Sequence, residues 1–232
     1  MMKLDWRRWT PQPLVDLRDV ARIEIATALG RLRQRPYTGT DVDYLQVGSG
    51  DKRFPGFLNS GHFIDRTAEY ALDIRYPLPF RDGRWSGIYA HHVVEHVEYQ
   101  QALGFFRESR RVLRRDGLLR VVVPDVERFA KCYAQPPDRR IESLRGLLPD
   151  SHLPSIDPPT AMGYMSYAVY SHPMNAHRSA WDGETMRYAL AEAGFEEITF
   201  QECGQSSDRM LAGLDNKYWA PQSLYAEARR VA

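Results

Sequence analysis

The chain has 232 residues, 43% of them hydrophobic, with 31 basic and 30 acidic side chains and a formal net charge of +1. That length supports one α/β domain with a substantial core, and the interspersed, balanced charge excludes the clustered basic footprint of a nucleic-acid binder. No apolar run reaches membrane-spanning length, the start lacks a secretory apolar core, and Cys132 and Cys203 show neither metal-type spacing nor a disulfide framework, so a soluble cytoplasmic protein without integral membrane association is expected.

In chain order, Val15, Leu17, Val20, Ile23, Ile25, Leu29 and Leu32 predict an amphipathic helix over 15–34, ended by Pro36 and Gly39, inside an N-terminal helical segment 1–40. The first strand, 43–47, breaks into Gly48-Ser49-Gly50, where residues without Cβ let backbone amides approach a ligand closely. Strands follow at 57–63, 70–74 and 87–90. A helix is expected to open at Val93 and another to run over 100–113, with the arginines from Arg107 to Arg120 read as the solvated face of that helix. Asp116-Gly117 turns the chain into the nearly continuous apolar run 118–123, the pattern of a central strand covered on both faces. A helix over 184–193, closed by Gly194, and strands at 198–203 and 223–228 complete the chain. Alternating strands and helices predict a doubly wound, mostly parallel sheet in a single domain spanning 1–232.

The segment 132–182 is rich in proline, aromatics and methionine and carries no clear periodicity. A long unstructured stretch inside a compact domain is usually functional, so it reads either as a lid and substrate-binding insertion or as helices that pack on the sheet.

Several elements in fixed order resemble the class I S-adenosylmethionine-dependent methyltransferases, in a branch common among polysaccharide and natural-product biosynthesis proteins. These are Gly48-Ser49-Gly50 after a strand, Phe54-Pro55-Gly56-Phe57-Leu58-Asn59, Leu72-Asp73-Ile74-Arg75 with Pro77-Leu78-Pro79-Phe80, Ala90 to His96, Ala193-Gly194-Phe195, and Gly204 to Asp208. The resemblance implies a Rossmann-like seven-stranded sheet and S-adenosylmethionine as cofactor. It implies that Gln46, Gly48, Ser49 and Gly50 meet the methionyl and ribose part, Asp73 accepts from the adenine amine, Ile74 packs on the ring, and His91 lies near the sulfonium. Gln46 stands where many relatives are acidic, and Gly61 stands where they carry a ribose-binding Asp. Asp65 or His62 could replace that acid, and Asp65 could equally be a surface turn residue.

Methyl transfer to a hydroxyl also needs a proton acceptor, and histidine suits that task near neutral pH. His177 is the first candidate by its match to the family's late insertion, with His91 and His92 beside it; alternation along a strand points one of this pair into the site and the other away. Glu95 and His96 read as capping or packing residues. Tyr164, Tyr167 and Tyr170 could line a substrate-binding wall around the cation or form one packed helix face. No metal is assigned. The expected acceptor is a small molecule or glycan, and homodimerisation stays open. Two other readings stand beside methyl transfer: transfer or cyclisation of the cofactor's aminocarboxypropyl arm, and a non-catalytic partner subunit of the same fold. A nicotinamide dehydrogenase is disfavoured, because the loop lacks the third glycine of the dinucleotide fingerprint.

Overall fold

In the computed structural model, which describes residues 12–33, 37–62, 64–148, 158–170 and 177–231, seven strands form one sheet. They are β1 (Tyr44–Val47), β2 (Phe57–Gly61), β3 (Tyr70–Ala71), β4 (Trp85–His91), β5 (Leu113–Pro124), β6 (Glu196–Phe200) and β7 (Ser223–Arg229). Their order across the sheet is β3-β2-β1-β4-β5-β7-β6. The first five are parallel, and β7 lies antiparallel between β5 and β6. The helices among the described residues are α1 (Gln12–Arg33), α2 (Tyr99–Val112), α3 (Val126–Tyr133), α4 (Arg140–Arg145), α5 (Ala161–Tyr170) and α6 (Gly183–Glu192).

Two sequence expectations change in detail. The helix expected from Val93 is only a 3-10 turn, Val94–His96, before α2 begins behind a capping box formed by Glu98 and Gln101. The turn at Asp116-Gly117 is a bulge inside a longer strand: Trp85 pairs with Leu113, yet Gly87 pairs with Leu118, so residues 114–117 loop out while β5 continues. Asp116 takes a left-handed φ of 61° there.

The crossovers are also leaner than double winding suggests. The connections β1–β2, β2–β3 and β3–β4 carry no helix among the described residues. One sheet face, with Leu45, Ile88, Leu119, Val121 and Ala226, packs under Phe105 and Phe106 of α2 and Met186 and Leu190 of α6. The opposite face, with Phe57, Tyr89, Leu118, Val122 and Tyr225, is covered by Leu211 and its neighbours in the β6–β7 connection. Helix α1 touches the sheet edge, with Gly30 against Ala71, and it exposes Leu17, Ile25, Leu29 and Leu32. The 132–182 segment holds α4 and α5 among its described residues: Tyr164 of α5 and Leu144 of α4 form a small core with Phe129 of α3. Its stretches 149–157 and 171–176, with His172, lie outside the described residues, as do 1–11, Pro36, Phe63 and the side chains of Val15 and Ile23.

Arg120 is the clearest departure from the sequence reading. It belongs to β5, not to an exposed helix face, and it is fully buried on the face that the β6–β7 connection covers. Its guanidinium donates to Asp215 Oδ2 at 2.5 Å and to Glu227 Oε1 at 2.9 Å, and both carboxylates are themselves buried. Asp215 also accepts from Tyr89 Oη at 3.0 Å and Gly204 N at 2.7 Å, while Glu227 accepts from Ser207 N and Oγ. Burial alone would lower the Arg120 pKa; its bonds and charge pairing with Asp215, then Glu227, raise it instead. Removing one member of such a network strands charge in the interior. Arg120→Met is therefore expected to lose about 3–5 kcal/mol of stability in urea unfolding, far more than its change in apolar area would suggest.

Candidate active site

The parallel register sets the site. Val47 pairs with Ser60 on one side and Ala90 on the other, so Gly48, Gly61 and His91 stand side by side across the carboxyl ends of β1, β2 and β4. Ligands of open α/β sheets bind at that edge. There a cleft is lined by Gln46, Gly48, Ser49, Gly50, Asp51, Lys52, Phe54, Tyr89, His91, Leu214, Asn216 and Trp219.

Gly48 and Gly50 have φ of 70° and 55°. A Cβ on Gly48 would meet Val93 Cγ2 at 2.3 Å, so only glycine fits. Ser49 N donates to Ser60 O at 2.8 Å, and Thr67 Oγ1 donates to Gly50 O at 2.7 Å, which ties the loop to β2 and the β2–β3 connection. Gln46 Oε1 and His91 Nε2 are buried polar atoms of the cleft lining without a protein hydrogen-bond partner. An open glycine cradle and two unmatched polar atoms fit a ligand that carries donors.

Asp73 and Ile74 follow β3, are buried, and do not line this cleft. The Asp73 carboxylate is gripped by Arg75, with Nε at 2.9 Å from Oδ1 and Nη2 at 2.8 Å from Oδ2, and Arg75 reaches on to Glu24 of α1. Burial pushes the Asp73 pKa up, but the bonds from Arg75 outweigh it and leave the group below its ordinary value. Of the two residues expected to replace the acid missing at Gly61, neither lines the cleft, whose lining acid is Asp51. His62 is exposed, and Asp65 caps a surface turn by accepting from Thr67 N and Ala68 N.

The histidines divide into three environments. His91 lines the cleft, and burial holds its pKa down to about 3, with the neighbouring His92 a smaller cause. His92, with φ of 52°, turns away. Its Nε2 lies 3.0 Å from Ser223 Oγ; because Ser223 Oγ gives its own proton to Trp219 O, that hydroxyl accepts from the ring. The other nitrogen, Nδ1, lies 3.0 Å from Glu95 Oε1, so neither is open to take a proton from an acceptor. His177 stands in a second, smaller pocket with Glu95, Pro124, Val126, Phe129, Ala168, Ser179 and Ala180. Its ring packs edge-on against His96 at 5.1 Å. Burial lowers the His177 pKa, opposed by the charge of Glu95.

Tyr164 is packed in the small core beside α3 and α4 rather than in either pocket, Tyr167 is half-buried on the same helix, and the side chain of Tyr170 lies outside the described residues. Sequence reading missed Tyr89, Asn216 and Trp219 as cleft walls. It read Glu95 as a capping or packing residue, whereas Glu95 is 1% exposed and sits amid three histidines. Only the crowding of His91, His92, Glu95 and His96 hinted at that group.

Residues 25–121 match a family described as a methyltransferase domain. The strand order and the glycine turn agree with that match, which places a class I S-adenosylmethionine-dependent methyltransferase domain over these residues. S-adenosylmethionine is accordingly its cofactor, and the glycine cradle described above fits it. Among curated proteins no sequence matches. Similar solved structures include an S-adenosylmethionine-dependent methyltransferase of Thermotoga maritima, 13% identical, covering 89% of this chain and 88% of that one at a TM-score of 0.47. Another from Archaeoglobus fulgidus is 14% identical, covering 89% and 94% at a TM-score of 0.46.

The depressed pKa of His91 makes stability depend on pH. The folded state keeps this ring neutral down to about pH 3, whereas the unfolded chain protonates it near 6.5. Its contribution is therefore whole above 6.5 and is lost as pH falls toward 3. Compared with His91→Gln, the wild type should lose about 1 kcal/mol more stability between pH 7 and 5, after discounting for the ring's partial exposure. Urea unfolding of both proteins at the two pH values measures the difference.

Proposed function

We propose that this protein transfers the methyl group of S-adenosylmethionine to a hydroxyl of a small molecule or sugar. The supporting observation is that two pockets meet the turn after β4, one lined by His91 and the glycine cradle, the other by Glu95 and His177. Bound in the first pocket, the cofactor supplies an electrophilic methyl group on a sulfonium. Gln46 Oε1 is an acceptor for the cofactor's ammonium, and Gly48 to Gly50 give their backbone to its methionyl and ribose part. His91, kept neutral by burial, puts no second positive charge beside the sulfonium. Asp73 acts through Arg75 by fixing the chain after β3, and Ile74 packs below it; the adenine amine is not assigned to the Asp73 carboxylate.

The acceptor belongs in the second pocket, where the Glu95–His96–His177 group handles its proton. Holding acceptor and methyl in line contributes on the order of 7–11 kcal/mol to lowering the barrier. Help with the proton adds about 10²–10⁴-fold. Gly61 in place of a ribose-binding acid costs about 1.5–3 kcal/mol of cofactor affinity unless another acid of the cleft lining, such as Asp51, takes over that contact. The 132–182 segment, whose α5 contributes Ala168 to this pocket, is assigned as the acceptor-binding insertion.

Thermal unfolding with S-adenosylmethionine tests the cofactor half. At about 100 times its dissociation constant the ligand should add roughly 2.7 kcal/mol of stability, and Gly48→Ala should abolish the shift. No shift in the wild type would overturn the reading in favour of a non-catalytic subunit. Incubation with sugars and hydroxylated small molecules, followed by mass spectrometry, tests the chemistry. S-adenosylhomocysteine is the expected product, and methylthioadenosine would transfer the assignment to aminocarboxypropyl chemistry.

A further inference from the structure

Glu95 poses a problem that the cofactor site does not solve. Its side chain is 1% exposed, yet its carboxylate has one imidazole nitrogen at 3.0 Å from Oε1 and no hydrogen-bond partner at Oε2. His92 Nδ1, at 3.0 Å from Oε1, is the nearest group, and His96 Nε2 is 4.0 Å away. His96 Nδ1 is likewise buried without a hydrogen-bond partner. A buried carboxylate short of donors is costly, and proteins retain one where a cation completes its surroundings.

The backbone brings the group together deliberately. Glu95 O accepts from Arg178 N at 2.7 Å and Ser179 N at 3.2 Å, and Ser179 Oγ donates to Val94 O. Trp181 Nε1 donates in turn to Ser179 Oγ, so a segment more than eighty residues downstream is laced onto the 3-10 turn. These bonds carry His177 to the rim of Glu95. One ligating atom from each of Glu95, His96 and His177 then lies within 4.8 Å of the other two.

We infer that Glu95, His96 and His177 form a binding site for one divalent cation of borderline character, such as Zn2+ or Co2+. Two imidazoles and a carboxylate are a donor set for such ions, with room for further ligands. A tetrahedral ion with bonds of about 2.0–2.1 Å wants donor atoms about 3.3–3.4 Å apart, so small side-chain rotations close the present spacing. His92, held from behind by Ser223, orients the carboxylate as an outer partner. Glu95 and His177 line the small pocket together with Pro124, Val126, Phe129 and Ala168, so a ligand in that pocket would lie beside the ion. An acceptor hydroxyl bound there would give its proton to solvent water more readily, because the cation stabilises the alkoxide left behind. The site rests on this cluster's geometry, and binding is read without cofactor or acceptor, so its failure is separate from failure of methyl transfer.

Tag-free, chelator-stripped protein is dialysed against Zn2+ or Co2+ and bound metal is counted by elemental mass spectrometry, with the Co2+ visible spectrum reporting ligand field. One equivalent per chain is expected in the wild type, with affinity at least about tenfold weaker in His177→Ala and His96→Ala, both checked for folding by circular dichroism. Retention of the wild-type affinity and Co2+ spectrum in His177→Ala overturns the assignment, as does failure of the wild type to bind a stoichiometric ion. In the latter case the histidines serve only to neutralise Glu95.

Discussion

The buried ion network of Arg120, Asp215 and Glu227 is the constraint on which the rest of the structure depends. Sheet strands β5 and β7 supply two of its members, and the β6–β7 connection supplies the third. Because β1, β2 and β3 are joined without helices, the face that helices would otherwise cover is closed by that connection. Asp215 is the point at which it is fastened, to Arg120 and to Tyr89 together. The residues on either side of Asp215 are Leu214 and Asn216, both walls of the cofactor cleft. Electrostatic pairing in the interior thus sets the shape of the ligand site.

What the sequence made legible was local. The glycine turn after β1, the β-branched run of β5, and the helix closed by Gly194 all carry their signals within a few residues. Their order and the methyltransferase resemblance were enough for a mostly parallel, Rossmann-like sheet, whereas the antiparallel course of β7 carries no local signal. Arg120 was not legible, because its partners lie 95 and 107 residues away and a run of arginines around an amphipathic helix looks like solvated surface. The same holds for His177 and Glu95, whose proximity depends on backbone bonds made by residues 178 and 179. The short 3-10 turn after β4 was read as a helix because Glu95 and His96 resemble a capping pattern when their tertiary setting is unknown.

The turn from His91 to His96 serves both pockets at once. His91 stays with the cleft; the left-handed backbone of His92 swings the next ring toward Ser223; and Glu95 drops into the interior beside His177. A non-glycine residue at positive φ is held only where its surroundings over-determine it, and here the contacts to Ser223 and Glu95 do so. The two pockets are in this way joined by one short piece of chain, which fixes their mutual orientation without the aid of a flexible loop.

The β6–β7 covering segment also has a bearing on how the chain is made. During synthesis, Arg120 leaves the ribosome 95 residues ahead of Asp215 and still further ahead of Glu227. At about 5–20 residues per second, this leaves the β5 guanidinium and the apolar face around it without their cover for roughly 5–20 seconds. The charge that is costly once buried then keeps that nascent face hydrated and less adhesive. The residue that locks the finished sheet doubles as its gatekeeper while the sheet is incomplete.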